Sequence, residues 1–252
     1  MTESWLALPA GIVIASVASA VGIGGGVLWM PFFLIFMDLH TKTAVVTSLL
    51  IQTVGMGSGA WVYVKERHAD LKLALFLVMV AVPGLLAGAW FTKKLNPTNL
   101  ELILGLLTLV TAFWFVSTPQ KYKDLGNARV QLTRVFRYSP VVMAMALGSG
   151  MLSVSIGEWL IPLLRSKLTL RMTNSVATSI VAVFGTCIVA SLAHLSLGSE
   201  ADLTVLCWAV PGVIIGGQIG PRITARINER ILKEIFIFLL TLVGIHLIYN
   251  SF

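Results

Sequence analysis

Apolar residues run through this chain in long blocks, and polar positions fall in narrow gaps between them. Residues 5–37 are almost uninterrupted apolar. As one straight helix they would reach about 50 Å, against a bilayer hydrocarbon core of about 30 Å. Gly22, Gly24, Gly25 and Gly26 stand in the middle of that run, in the stretch Val21-Gly22-Ile23-Gly24-Gly25-Gly26-Val27-Leu28-Trp29-Met30-Pro31. Such a cluster breaks a helix, because each glycine gives up backbone entropy and packs no side chain. The run therefore predicts two pieces, 5–21 and 27–37, the second too short to cross a membrane. Three ordinary membrane helices are predicted at roughly 43–64, 71–92 and 98–117, followed by a polar, basic linker over 118–137. The second half predicts the same plan, with a broken segment at 138–164 and spans near 172–196, 203–222 and 231–251.

The two halves share a register. At an offset of 131 residues Gly26 falls on Gly157, Pro31 on Pro162, Thr43 on Asn174, and Thr47-Ser48 on Thr178-Ser179. After a one-residue insertion Asp70 matches Asp202. After further small gaps Pro83-Gly84 matches Pro211-Gly212, Gly88 matches Gly216, and Leu95-Asn96 matches Ile227-Asn228. One register held from residue 26 to residue 48 marks a tandem duplication. The organisation expected is a first transmembrane repeat at 1–117, the linker at 118–137 and a second repeat at 138–252, all within one membrane domain.

Composition supports the membrane setting. The 252 residues are 57% hydrophobic and only 12% charged, with a mean hydropathy of +0.90, whereas soluble domains carry roughly 25% charged residues. A net charge of +7 raises the question of nucleic acid. The basic residues, however, sit in short loops between apolar runs, which is the pattern of cytoplasmic membrane loops, and no nucleic-acid partner is expected.

Those charges also orient the chain. If each broken segment crossed the membrane once, the two sides would hold 8 and 10 Lys and Arg residues, with no bias. If each broken segment enters and returns on one side, one face holds only Lys42, Lys93 and Lys94, and the other holds the remaining 15. The positive-inside rule selects the second arrangement. Three crossings per repeat then turn the second repeat upside down. The fold class predicted is an all-α membrane protein of two inverted-topology repeats, each a broken or re-entrant helical segment followed by three transmembrane helices. Both termini fall in the periplasm and the linker in the cytoplasm. A re-entrant hairpin and a pair of short spans give the same charge count, so the choice between them stays open. The N-terminus carries Glu3 and no basic residue before Lys42, unlike a cleavable signal peptide. Cys187 and Cys207 lie in apolar spans and read as buried small hydrophobes.

The two breaks carry the chemistry. Broken backbone at membrane depth survives only when it is buried in protein or lines a cavity. A Gly-rich turn lets backbone N–H groups point inward, and the short helix after it brings a positive dipole end to the same place. In the second repeat Ser153, Ser155 and Gly157 take the places of Gly22, Gly24 and Gly26, adding hydroxyls. Two such hinges meeting head-on would form a neutral, donor-rich pocket for a small anion. The plainer alternative is that the small residues only allow helices to pack closely. Thr47, Ser48, Thr178 and Ser179, with Gln52 one turn on, would line the wall. Otherwise their hydroxyls bond back to carbonyls in their own helices. Asn174 and Thr43 read as helix caps.

Glu158 directly follows the second hinge, where the first repeat has Val27. A charge at membrane depth costs about 2.5–3.5 kcal/mol on insertion scales. A carboxylate beside an anion site would repel the substrate unless protonated, which points to proton coupling; the alternative is a cap or a pair with Arg165. Trp29 and Trp159 flank the hinges, more as core residues than as pocket walls. Trp61, Trp90 and Trp208 lie near span ends and read as interfacial anchors. The four histidines show no metal-ligand spacing, no phosphate-loop signature follows the glycines, and no acid, base and nucleophile set appears, so no metal, cofactor or enzymatic activity is expected.

Gly22 to Pro31, Thr47-Ser48, Pro83-Gly84 with Gly88, and the duplicated layout resemble the sulfite exporter TauE/SafE family of membrane permeases, also called the four-toluene-sulfonate uptake family. The likeness covers nearly the whole chain. The second repeat departs from the family pattern, reading Ser-Val-Ser-Ile-Gly-Glu-Trp-Leu-Ile over Ser153 to Ile161. The resemblance implies movement of a sulfur-containing anion, sulfite or an organosulfonate, across a bacterial inner membrane on an ion gradient. The function expected is a secondary-active permease working by alternating access. Its partners are the anion, the lipid bilayer and, as an open option, further copies of itself. The alternatives are a channel for small anions or neutral solutes, or a membrane assembly factor.

Overall fold

The computed structural model describes residues 4–117, 126, 127 and 129–223, with positions 237, 238, 241, 242, 244, 245, 248 and 249 nearer the C-terminus. The expected span at 231–251 and the linker over 118–125 therefore lie largely outside the described residues. A 3₁₀ turn, Ser4–Leu6, leads into α1 (Ala7–Val21). Next come α2 (Gly26–Pro31), continued by a π-helical turn (Phe32–Phe36), then α3 (Thr41–Lys65), α4 (Leu71–Lys94) and α5 (Pro97–Ser117). The second half holds α6 (Leu132–Phe136), α7 (Ser139–Leu152), α8 (Gly157–Ser166), α9 (Met172–Ser196) and α10 (Leu203–Ile223). The described residues form no strand beyond an isolated bridge between Asn127 and Leu170.

Among the described residues five helical stretches are long and apolar enough to cross a membrane: Ser4–Val21, Thr41–Lys65, Leu71–Lys94, Met172–Ser196 and Leu203–Arg222. The protein is an all-α, multi-pass membrane protein. Its helix boundaries follow local chemistry. Asp70 and Asp202 precede α4 and α10, and their carboxylates accept the backbone N–H of Leu73 at 3.2 Å and Val205 at 3.0 Å, satisfying donors that a helix start leaves open. α1 ends where Gly22 turns left-handed (φ +83°), and α7 ends in the same way at Ser153 (φ +60°), a conformation that costs a non-glycine residue energy. Pro31 interrupts the bond ladder, and the π-helical turn widens the helix directly behind it.

Hydrogen bonds sort the helix ends. Lys42 Nζ donates to the Lys93 carbonyl at 3.0 Å, and Lys93 Nζ to the Leu197 carbonyl at 2.9 Å. The start of α3, the end of α4 and the end of α9 thus share one end of the bundle. At the other end Asn174 Nδ2 donates to the His68 carbonyl at 2.8 Å and Arg171 Nε to the Gly126 carbonyl at 3.1 Å. This second cluster gathers the α3–α4 turn, the residues before α6 and the start of α9. Asn174 therefore ties the first turn of α9 to the α3–α4 turn instead of capping α9, whose N-cap Arg171 makes no side-chain cap.

The tightest packing joins the two halves. The carbonyls of Leu8, Ile12 and Ser16 lie in order against Gly212, Gly216 and Gly220, where an added Cβ would sit well under 3.0 Å from each oxygen. α1 and α10 therefore run in the same direction. The carbonyls of Met143 and Leu147 lie in the same way against Gly84 and Gly88, so α7 runs along α4. Small residues every fourth position allow this backbone-to-backbone approach. Since α10 starts at the Lys42 end, so does α1, and α2 returns to Thr41 at that same end. By the same reasoning α7 and α8 enter and return at the Arg171 end.

These contacts shift part of the register read from the sequence. Met143 and Leu147 stand 131 residues after Ile12 and Ser16, which pairs Gly84 with Gly216 and Gly88 with Gly220. The offset of 132 residues set at Asp70 and Asp202 thus continues without a gap. The Pro83-Gly84 and Pro211-Gly212 likeness is one helical turn out of step, because identical dipeptides outweighed the spacing of the small residues.

Candidate functional site

The two breaks meet in the interior. A Cβ on Gly26 would lie well under 3.0 Å from the Ser153 carbonyl and 2.9 Å from Gln52 Nε2. A Cβ on Gly157 would lie 2.6 Å from the Gly22 carbonyl and 3.1 Å from Ser179 Oγ. Gly26 and Gly157 are partners at the 131-residue offset, and so are Ser153 and Gly22. Between them a Cβ on Gly24 would overlap Ser155, its own counterpart. Each hinge thus fills the space that the other's missing side chains leave.

Around this junction the polar side chains divide unequally. The two Nε2 hydrogens of Gln52 are shared among three acceptors, Ser153 Oγ at 2.8 Å, the Ser153 carbonyl at 3.1 Å and Ser48 Oγ at 3.0 Å. Ser153 Oγ donates to Ser48 Oγ at 3.0 Å. The other side is simpler: Ser179 Oγ donates to the Gly22 carbonyl at 3.0 Å, and Val183 stands where the first repeat has Gln52. Ser48, Gln52, Ser153, Ser155, Gly157 and Ser179 are all buried. The Gly25 N–H donates to the Ile23 carbonyl at 2.7 Å and the Gly157 N–H to Ser155 Oγ at 3.0 Å, so these two hinge donors are used inside the hinges.

Thr47 and Thr178 turn to different work. Thr47 Oγ1 accepts the Asp202 N–H and Thr178 Oγ1 accepts the Asp70 N–H, both at 3.0 Å. Each hydroxyl ties a central helix of one half to the start of a helix in the other. A second matched pair sits near the C-terminal ends of α3 and α9: Tyr63 Oη donates to the Ser19 carbonyl at 3.1 Å, and His194 Nε2 lies 2.7 Å from the Gly150 carbonyl. Tyr63 and His194, like Ser19 and Gly150, stand 131 residues apart, and this offset is the one sequence signal that could have linked them.

Glu158 is fully buried at the start of α8, and neither carboxylate oxygen has a hydrogen-bond partner among the described residues. The cap and the pair with Arg165 are thus both absent. Trp159 Nε1 donates to Thr111 Oγ1 at 3.1 Å, and Trp29 stacks on Phe33 with centroids 5.1 Å apart. Both tryptophans belong to the core. Trp61, Trp90 and Trp208 are exposed, and Lys94 Nζ lies 3.9 Å from the Trp90 ring. No cluster of three or more His, Cys, Asp or Glu residues able to hold a metal occurs among the described residues. Cys187 is buried as expected, whereas Cys207 is exposed on α10, where a membrane helix meets lipid.

Comparison with known proteins places this geometry in a family. A probable membrane transporter protein of Bacillus subtilis (strain 168), YunE, is 24% identical over 263 residues, covering 96% of each chain. A second B. subtilis probable membrane transporter protein, YdhB, is 20% identical over 91% of this chain and 94% of its own. The probable membrane transporter protein MamO of Paramagnetospirillum magneticum is 22% identical over 92% of this chain, which corresponds to only 41% of its own length. No solved structure matches. The family model described as sulfite exporter TauE/SafE matches residues 7–247, so this chain belongs to the TauE/SafE family of membrane transporters.

Proposed function

We propose that the protein is a secondary-active carrier that moves a small sulfur-containing anion, such as sulfite or an organosulfonate, across the bacterial inner membrane. The observation that carries this reading is the meeting of two equivalent hinges, Gly22–Gly26 and Ser153–Gly157, inside a bundle of apolar helices. Discontinuous helices meeting at the interface of repeats are where such carriers bind their substrates. The family's description supplies the sulfur chemistry. In this reading the junction's backbone and hydroxyl donors, bonded to one another while the hinges are closed, turn to the anion when the hinges part, so that no fixed positive charge is needed. The cytoplasmic side is the Arg171 end, where Lys65, Arg67, Lys72, Arg165 and Lys167 also lie, and both termini face the periplasm. The two halves are inverted repeats. The bodies that rock against each other are the cross-paired helices, α1 with α10 and α4 with α7.

In this reading Glu158 carries the coupling proton. A buried ion without a partner is costly, so the neutral acid is the form this setting accepts, and it releases its proton when an opening brings water. Flux of labelled sulfite into proteoliposomes tests the proposal. A carrier shows saturation and acceleration by sulfite on the far side; saturable flux without that acceleration points to a channel. Absence of flux for sulfite and for a panel of sulfonates overturns the substrate class. Glu158→Gln should flatten the pH dependence of flux, and an unchanged pH profile removes Glu158 from the mechanism.

A further inference from the structure

The polar network at the first hinge is one donor short. Gln52 Oε1 is buried and has no partner among the described residues, although Gln52 itself is only 2% exposed. Its amide cannot simply be turned over. Nε2 faces the Ser153 carbonyl at 3.1 Å, which accepts only, so the nitrogen must stay on that side and the oxygen on the other. Ser48 Oγ, one helical turn before Gln52, already accepts from Gln52 Nε2 and from Ser153 Oγ. The Ser48 hydroxyl hydrogen itself meets no acceptor among the described residues, so Ser48 is left with a hydrogen to donate. The junction therefore presents an acceptor and a donor side by side, neither matched within the network.

We infer that Gln52 Oε1 with the Ser48 hydroxyl selects substrates that carry a hydrogen-bond donor on the group beside their oxyanion. This inference rests on the anion-carrier reading above. A tetrahedral sulfur oxyanion with one acidic or amide hydrogen satisfies both atoms at once: an anionic oxygen accepts from Ser48, and the hydrogen is donated to Gln52 Oε1. A dianion, or a sulfonate ending in a methyl group, leaves the Gln52 oxygen buried and unpaired. That deficit corresponds to about five- to 150-fold in binding. Hydrogensulfite would then bind in preference to sulfite dianion, and the substrate would bring its own proton.

Sulfamate and methanesulfonate test this directly, since both are monoanions of nearly equal size and only sulfamate has donor hydrogens. Thermal stabilisation of the detergent-purified, full-length protein gives a dissociation constant for each. Wild type should bind sulfamate at least about fivefold more tightly. Gln52→Leu should bring the ratio to near one, while Glu158→Gln keeps it. Equal binding of both anions by wild type overturns the inference and leaves the anion reading intact; it would mean that a bound water already supplies the hydrogen. A ratio lost in Glu158→Gln but kept in Gln52→Leu also overturns it. Binding of neither anion, nor of sulfite, overturns the carrier reading itself. Should Gln52→Leu fail to fold, the wild-type ratio alone decides.

Discussion

Gly26→Ala isolates the contact between the two hinges. Gly26 opens α2 with an ordinary negative φ, so its backbone would accept any L-residue. Helix propensity alone would favour alanine by about 1 kcal/mol. The opposing effect is steric: the new methyl group lands on the Ser153 carbonyl and 2.9 Å from Gln52 Nε2. Backbone cannot swing aside as a flexible side chain would, so the hinges must part. Overpacking of this kind costs about 1–3 kcal/mol. Moving Ser153 also loosens the Gln52 bonds at 2.8 and 3.1 Å, whose buried groups cost about 1–3 kcal/mol when left unpaired. The net expectation is a loss of about 3 kcal/mol, or a fall of about 6–12 °C in the unfolding midpoint. Tryptophan fluorescence of detergent-purified protein during heating reads it. Gly198→Ala serves as the control, since Gly198 has φ +80° and nothing within 4 Å. It carries only the left-handed backbone cost of about 1–2 kcal/mol. A midpoint for Gly26→Ala equal to or above wild type would refute the meeting of the hinges.

Thr47→Val and Thr178→Val each leave a backbone N–H without its acceptor, at Asp202 and Asp70, and each should lower stability by about 1–3 kcal/mol. The two losses should be similar, and a large inequality in their unfolding midpoints would show that the matched bonds are not equivalent. Tyr63→Phe removes the donor to the Ser19 carbonyl and should cost about 1 kcal/mol in the same measurement; no change would mean that carbonyl finds another partner. With Cys207 replaced by Ser and Cys187 buried out of reach, one added cysteine at Glu66 or at Glu200 reports each end of the bundle. A membrane-impermeant maleimide applied to intact cells should label Glu200→Cys alone, and labelling of both would break the assignment of ends.

The broken segments and their duplication were legible because glycine clusters inside apolar runs have few causes, and a repeated cluster has fewer. Ser48, Gln52 and Ser153 could be placed near one junction from the offset alone. Their individual bonds could not, since an αL serine at 153 depends on contacts made across the whole bundle. Thr47 and Thr178 illustrate the same boundary. A hydroxyl on a helix can equally bond one turn back in its own helix, and only tertiary placement directs these two to Asp202 and Asp70. Gly84 and Gly88 show where identity misleads. Their partners are fixed by which carbonyl each glycine accommodates, a spacing that the Pro-Gly dipeptides obscured. The π-helical turn behind Pro31 had no signal beyond the proline itself.

The pairing of α1 with α10 and of α4 with α7 also sets conditions on how the chain is made. Each glycine-lined seam joins a helix from the first half to one from the second. While a ribosome is still synthesising residues beyond 117, α1 and α4 have no mates, and their small-residue faces must wait in the bilayer. Of these two seams, the one to α10 is completed last, and only then does α1 gain its mate. Two separately produced halves should therefore be individually unstable yet able to complement each other when they are synthesised together in one membrane.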